Sequence, residues 1–318
     1  MPYALDSQLQ QILTASRPTA DQEAHRPARG DWKALREGES GLAALDAMKA
    51  EQPSVARADH HAVSHDGAEV LVRWYTPARY DASGAGPAVV FLHGGGMISG
   101  SVELFDRLAA GYTADSGVPL LSVDYRRAPE HPHPTPVEDA YAGLAWLAAH
   151  AGELGVDPAR IALMGESAGG GLAAGAALLA RDRGLPLTRQ ILVYPMLDDR
   201  TTEPDPALVP TATWNYDNNY TGWHALLGDA VGGPDVPGHA APARADDLSG
   251  LPATYIEVGE LDIFRDEDVA YARRLAATGT SVELHVHPGC PHAFDHLAPR
   301  IDVVQRSRAD RLRVLRSL

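Results

Sequence analysis

Residues 161–179 read Ile161-Ala162-Leu163-Met164-Gly165-Glu166-Ser167-Ala168-Gly169-Gly170-Gly171-Leu172-Ala173-Ala174-Gly175-Ala176-Ala177-Leu178-Leu179, and this stretch decides the fold. The apolar run Ile161–Met164 reads as a buried strand, and the small residues after Ser167 read as a helix that can pack close to it. Gly165-Glu166-Ser167-Ala168-Gly169 fits G-x-S-x-G at the junction. A strand that turns sharply into a helix forces the residue at the turn into a strained, exposed position. Glycines two before and two after it let neighbouring backbone pass. The helix N-terminus behind Ser167 adds N–H groups and a positive dipole end, which suit a developing oxyanion.

A second motif lies upstream. Pro87-Ala88-Val89-Val90-Phe91-Leu92 is a continuous apolar strand, followed directly by His93-Gly94-Gly95-Gly96. Such a loop can serve as an oxyanion hole, because bare backbone N–H groups approach a carbonyl oxygen with no side chain in the way. One such donor is worth about 3–4 kcal/mol of transition-state stabilisation. The plainer readings are a glycine-rich turn or a phosphate loop. The segment lacks the lysine of a P-loop and the spacing of a dinucleotide fingerprint.

An activated serine needs a base and an orienting acid, downstream in the order Ser, Asp/Glu, His. Ala253–Val258 reads as a strand with Asp262 in the loop after it, and Ser281–Val286 as a strand with His292 in the loop after it. Loops past the C-terminal ends of parallel strands line the crevice of an open sheet. By position Asp262 competes with Glu260, Asp266, Glu267 and Asp268.

Together these segments resemble the hormone-sensitive-lipase-type carboxylesterases, a branch of the α/β-hydrolases. The resemblance rests on His93–Gly96; Asp124-Tyr125-Arg126 with Ala128-Pro129-Glu130-His131-Pro132; Val137-Glu138-Asp139-Ala140; Gly165–Gly170; Tyr194-Pro195-Met196-Leu197-Asp198; Asp262 with Arg265-Asp266-Glu267; and Gly289 with His292 and Phe294. It runs from about residue 65 to about residue 300 in the family's order and spacing. It implies Ser167 as nucleophile, His292 as general base and then acid, and Asp262 as the orienting carboxylate. It also implies the N–H groups of Gly95, Gly96 and Ala168 as oxyanion donors, with His93, Gly94 and Glu166 in support. Four positions depart from the family's habit. Glu166 stands where Asp or Thr is usual, Ile263 where Pro is usual and Ala293 where Gly is usual, and Pro291 is less usual before the histidine. None removes a catalytic group.

The remaining polar candidates read more plainly. His285, His287, His292 and His296 make a weak metal set, since no cysteine or carboxylate pair with ligand spacing accompanies them. Cys290 is the only cysteine, which excludes an intrachain disulfide and fits a reducing cytoplasm. It reads as a small apolar loop residue. Glu130 and His131 sit among prolines in a rigid loop, expected to brace the elbow or the oxyanion loop. Glu166 reads equally well as an orienter of that loop or as a turn carboxylate.

The 318 residues are 45% hydrophobic and 22% charged, the balance of a globular chain with a sizeable core. The formal charge of −15 argues against nucleic acid or an anionic membrane as partner. No apolar run approaches the length of a spanning helix, and the first residues lack the pattern of a secretory signal.

Alternating strands and helices predict an α/β fold with a mostly parallel sheet covered on both faces. The strand at 67–76 is expected to be an antiparallel edge. The expected divisions are 1–50 as the N-terminal part of a cap, 51–199 as the hydrolase core, 200–245 as a second cap segment rich in Pro, Gly, Asp and Trp, and 246–318 as the rest of the core. The resemblance implies that the two outlying segments together cover Ser167. It further implies hydrolysis of small short-to-medium-chain acyl esters without metal or organic cofactor. An amidase on the same residues and a ligand-binding relative are the rivals. A homodimer through an edge strand or helix is the default expectation for assembly.

Overall fold

The computed structural model describes residues 3–15, 27–38 and 49–318. The sheet has eight strands: β1 (Ala56–Val63), β2 (Glu69–Thr76), β3 (Gly86–Leu92), β4 (Leu120–Val123), β5 (Val156–Glu166), β6 (Arg189–Val193), β7 (Ala253–Gly259) and β8 (Val282–His287). Their order is β1-β2-β4-β3-β5-β6-β7-β8. β1 to β2 and β2 to β4 run antiparallel, and every pairing from β4 to β8 is parallel.

This order corrects one expectation. The strand predicted at 67–76 is antiparallel but lies inside the sheet, between β1 and β4, and the edge is β1. The sequence reading missed β1 because it carries Arg57, Asp59, His60 and His61, and only Ala62 along it is buried. A strand with so little buried surface shows no alternation of apolar and polar residues.

The inner strands alternate as a sheet buried on both faces requires. In β3, Ala88, Val90 and Leu92 face one apolar cluster, together with Leu163, Leu192 and Ile256 from neighbouring strands. Val89 and Phe91 face the other, with Ala162, Met164, Ile191, Val193 and Tyr255. Helices α4 (Thr135–Ala149), α5 (Ala168–Asp182) and α7 (Arg265–Ala277) contribute to the first cluster. Helices α3 (Asp106–Ser116) and α9 (Asp302–Arg316) contribute to the second.

Two outlying segments complete the chain. In the first, α1 (Ser7–Ala15) buries Leu9 in the second cluster, and the Asp6 N–H donates to the Gly289 carbonyl at 2.9 Å. The short α2 (Trp32–Glu37) lies beside α6 (Tyr216–Leu227) from the 200–245 segment. Residues 1–2, 16–26 and 39–48 of the expected 1–50 division lie outside the described residues. A four-residue helix α8 (Phe294–Leu297) follows the loop after β8. Among the described residues no helix is long and apolar enough to cross a membrane.

Candidate active site

Ser167 stands between the last residue of β5 and the first of α5, with φ 56° and ψ −122°. A non-glycine residue held at positive φ carries about 1–3 kcal/mol of strain, and persists only where its surroundings over-determine it. Here the Ser167 N–H donates to the Val193 carbonyl at 2.9 Å, and its own carbonyl accepts from Met196 and Gly171 at 3.0 and 3.1 Å. The flanking glycines are sterically required. A Cβ on Gly165 would lie 2.0 Å from the Gly169 carbonyl oxygen, and one on Gly169 would lie 2.0 Å from that of Leu92.

The structure brings Ser167, His292 and Asp262 into one hydrogen-bonded chain, from loops after three different parallel strands. His292 Nε2 is 2.9 Å from Ser167 Oγ, and His292 Nδ1 is 2.7 Å from Asp262 Oδ2. An ionised Asp262 can only accept, so Nδ1 carries the proton and Nε2 accepts from the serine hydroxyl. Asp262 is fully buried, and its second oxygen accepts from the Phe264 N–H at 3.0 Å. The imidazole is walled edge-on by Phe264 and Tyr194, at ring separations of 5.0 and 4.8 Å. Its backbone carbonyl accepts from Thr213 Oγ1 at 2.6 Å.

The His93–Gly96 loop leaves β3 beside Ser167. His93 is completely buried, its ring stacked between Tyr125 and Phe105. Burial lowers its pKa to about 4, so it is neutral at pH 7. Its Nδ1–H then donates to the Gly94 carbonyl at 2.8 Å. Among the described residues, none accepts a hydrogen bond from the N–H of Gly95, Gly96 or Ala168. The indole of Trp214 covers Gly96 so closely that a Cβ there would lie 2.6 Å from it.

The proline-rich loop touches this segment, as the sequence led us to expect. Ala128 N–H donates to the Met97 carbonyl at 3.0 Å, and Tyr125 hydroxyl to the His93 carbonyl at 3.0 Å. Arg36 ties the two loops together, donating to Glu130 and to the carbonyls of Ala128 and Ile98.

Glu166, read as a loop orienter or as a turn carboxylate, is the last residue of β5, directly before Ser167. Its carboxylate is buried and accepts from Tyr112 at 2.8 Å and from His296 Nε2 at 3.0 Å. It thereby ties the elbow to α3 and α8. Glu166, Asp295 and His296 also form one of two groups with ligand-like spacing among the described residues, the other being Glu283, His285 and Asp310. In each an arginine already supplies the cation. Arg311 lies 2.6 Å from Asp295 and 3.9 Å from Glu166, and Arg313 pairs with Glu283 and Asp310. The four histidines weighed as a metal set are not gathered: His292 bonds Asp262 and Ser167, His296 bonds Glu166, and His285 bonds Glu283. Cys290 is buried, and burial pushes its thiol up to about 12, so it holds its proton at neutral pH.

A cavity of about 360 Å³ opens over the serine, lined mainly by apolar groups. Gly94, Gly95, Gly96, Ser167 and His292 form part of its wall, and Leu35, Trp214, Phe105 and Leu297 supply much of its apolar surface. Sequence reasoning missed the roles of Ser99, Thr213, Tyr194 and His296. Tyr194 lay in a motif, Thr213 in the expected second cap segment and His296 in the weak metal set, whereas Ser99 lay in no segment that drew attention.

Comparison with known proteins places this arrangement. A family model described as the alpha/beta hydrolase fold matches residues 89–296. The chain belongs to the α/β-hydrolases, in their carboxylesterase branch. It is 38% identical over 253 residues to carboxylesterase NlhH of Mycobacterium tuberculosis, covering 76% of each chain. It is 34% identical over 274 residues to an ethyl acetate hydrolase of Pseudomonas putida, covering 81% of each. Among solved structures, a bacterial heroin esterase superposes with a TM-score of 0.88 at 37% identity, covering 99% of this chain and 98% of that one. This carboxylesterase therefore carries the expected fold, with Ser167 at the elbow.

Proposed function

We propose that this carboxylesterase cleaves small, fairly hydrophobic esters with short to medium acyl chains, by two-step acyl transfer on Ser167. The Ser167–His292–Asp262 chain, with separations of 2.9 and 2.7 Å, carries the reading. Ser167 Oγ attacks the ester carbonyl carbon while His292 Nε2 takes its proton. The negative oxygen is held by the N–H groups of Gly95, Gly96 and Ala168. The tetrahedral species collapses, the C–O bond to the alcohol breaks, and His292 returns the proton to the leaving oxygen. Water then attacks the acyl-enzyme by the same route and frees the acid. Asp262 keeps the imidazole in the tautomer that can accept and stabilises the imidazolium as it forms. The steps use protein groups and water alone.

Cavity size supports the substrate class. About 360 Å³ is at the low end of the range for small-molecule sites. The segments 27–38 and 213–218 contribute Leu35 and Trp214 over the serine, and we assign them as the cap that excludes water. The test compares hydrolysis of p-nitrophenyl acetate, butyrate, octanoate and palmitate by wild type and Ser167→Ala. The expected result is turnover fastest on the short esters and abolished by the substitution. Equal turnover by the two proteins would remove Ser167 from the mechanism.

A further inference from the structure

Oxyanion loops are usually discussed through their N–H groups, but each N–H shares a rigid plane with the carbonyl of the preceding residue. The peptide is planar and trans, so its C=O and N–H point in opposite directions. Whatever fixes the carbonyl of Gly95 therefore fixes the direction of the Gly96 N–H.

The Gly95 carbonyl is held by residues three and four places further on. Ile98 N–H donates to it at 3.1 Å and Ser99 N–H at 2.9 Å. The Ser99 hydroxyl adds a third bond at 2.9 Å, from the side chain rather than the backbone. Ser99 is only 6% exposed and its side chain borders the cavity. The fit is tight: Gly95 has φ 120°, and a Cβ there would lie 2.3 Å from the Ser99 carbonyl oxygen and 2.7 Å from its Oγ. The neighbouring plane is held in the same manner, by His93 Nδ1–H on the Gly94 carbonyl. The two peptide units that would present N–H groups to the oxyanion thus each have a side-chain donor on the opposite edge.

We propose that Ser99 is a positioning residue for catalysis: its hydroxyl pins the Gly95 carbonyl, so that the Gly96 N–H is aimed and polarised toward the oxyanion. A donor on the carbonyl draws electron density through the amide and strengthens the N–H as a donor in turn, the cooperative effect of chained hydrogen bonds. This inference rests on the oxyanion reading under Proposed function. The Ser99 hydroxyl is committed to the Gly95 carbonyl, so its effect is expected in the transition state rather than in substrate capture.

The experiment measures kcat and KM on p-nitrophenyl butyrate for wild type, Ser167→Ala, Ser99→Ala, Ser99→Thr and Ser99→Val. It also measures inhibition by an aryl trifluoromethyl ketone, which adds to an active serine and leaves an oxyanion. Losing a whole donor costs about 10²–10³ in kcat. Two backbone bonds to Gly95 remain here, so Ser99→Ala is expected to lose about 5- to 30-fold in kcat, with KM changed less than about twofold. Binding of the ketone should weaken in the same proportion as kcat/KM. Ser99→Thr keeps a hydroxyl and should retain most of the rate, while the isosteric Ser99→Val should not. The Thr and Val pair decides the matter if Ser99→Ala does not fold. If Thr and Val are equally impaired, or if Ser99→Ala keeps wild-type kcat, Ser99 acts only through packing and the inference is wrong. No turnover by wild type, or turnover unaffected by Ser167→Ala, would instead overturn the parent reading and this inference with it.

Discussion

Asp262 makes its strongest contact with a histidine ring and its second with a backbone N–H, so both oxygens of a fully buried carboxylate are committed. Replacing it by Asn keeps the shape but presents an amide to Nδ1. The imidazole can then adopt the tautomer with its proton on Nε2, which no longer accepts from Ser167. Asp262→Asn is expected to lower kcat by about 10³–10⁴ with little change in folding stability. A loss under tenfold in a p-nitrophenyl butyrate assay would show that another group orients His292. At this scale the sequence was readable where chemistry restricts the residue type. Ser167, Asp262, His292 and the glycines at 94–96 stand in motifs whose spacing is set by strand ends. The roles of Ser99, Thr213 and Tyr194 were not legible, because each reaches its partner through a turn or an approach of segments distant in the chain. Ala293 shows the limit from the other side. It departs from the family's usual glycine, and the structure holds it at φ 55°, a conformation that costs an alanine about 1–2 kcal/mol.

Strands and helices of the sheet layer were legible wherever a buried face imposed its period. The strands expected at Ala253–Val258 and Ser281–Val286 match β7 and β8 to within one residue at each end. β1 failed this test because its side chains are mostly in water, and α6 because its aromatic residues gave composition without a period. Ion pairs between elements were also illegible, and one group of them is buried. Arg311 of α9 is 2% exposed and donates to Glu257 of β7, to Tyr112 of α3 and to Asp295 of α8. Burial by itself would raise the Glu257 carboxyl, but Arg311 and His287 outweigh it and lower it to about 2. Removing the cation takes the guanidinium away from the carboxylates of Glu257, Asp295 and Glu166. Arg311→Leu is expected to cost about 3–5 kcal/mol, read as a fall in the urea midpoint at pH 7. Arg311→Lys, which keeps the charge but not the forked geometry, should fall between. A Leu variant within about 1 kcal/mol of wild type would mean that the network is no more than neutral to stability.

For the whole molecule, strain and buried titratable groups gather at one end of the sheet. The four non-glycine residues with positive φ among the described residues are Met97, Ser167, Tyr194 and Ala293. Three of them line the cavity, and Met97 follows Gly96 directly. His93 lies in the same place and links the site to the stability of the chain in acid. Its folded pKa is about 4 against 6.5 for a solvated imidazole, because burial opposes the charged form. Between those values the unfolded chain binds a proton that the folded chain refuses, so stability falls as pH drops through the window. The full depression corresponds to about 3 kcal/mol, present above 6.5 and exhausted at about 4. Burial lowers His133 as well, so wild type carries a second contribution of the same sign. Unfolding by urea at pH 7.0, 5.5 and 4.0 for wild type and His93→Asn separates the two, since the variant removes one titrating group and leaves the other. His93→Asn adds a constant offset from lost ring packing, but the difference between the proteins should shrink by up to about 3 kcal/mol from pH 7 to pH 4. A difference constant across that range would show that His93 takes up its proton in the folded state as readily as in the unfolded one. Its donation to Gly94 would then owe nothing to an enforced neutral state.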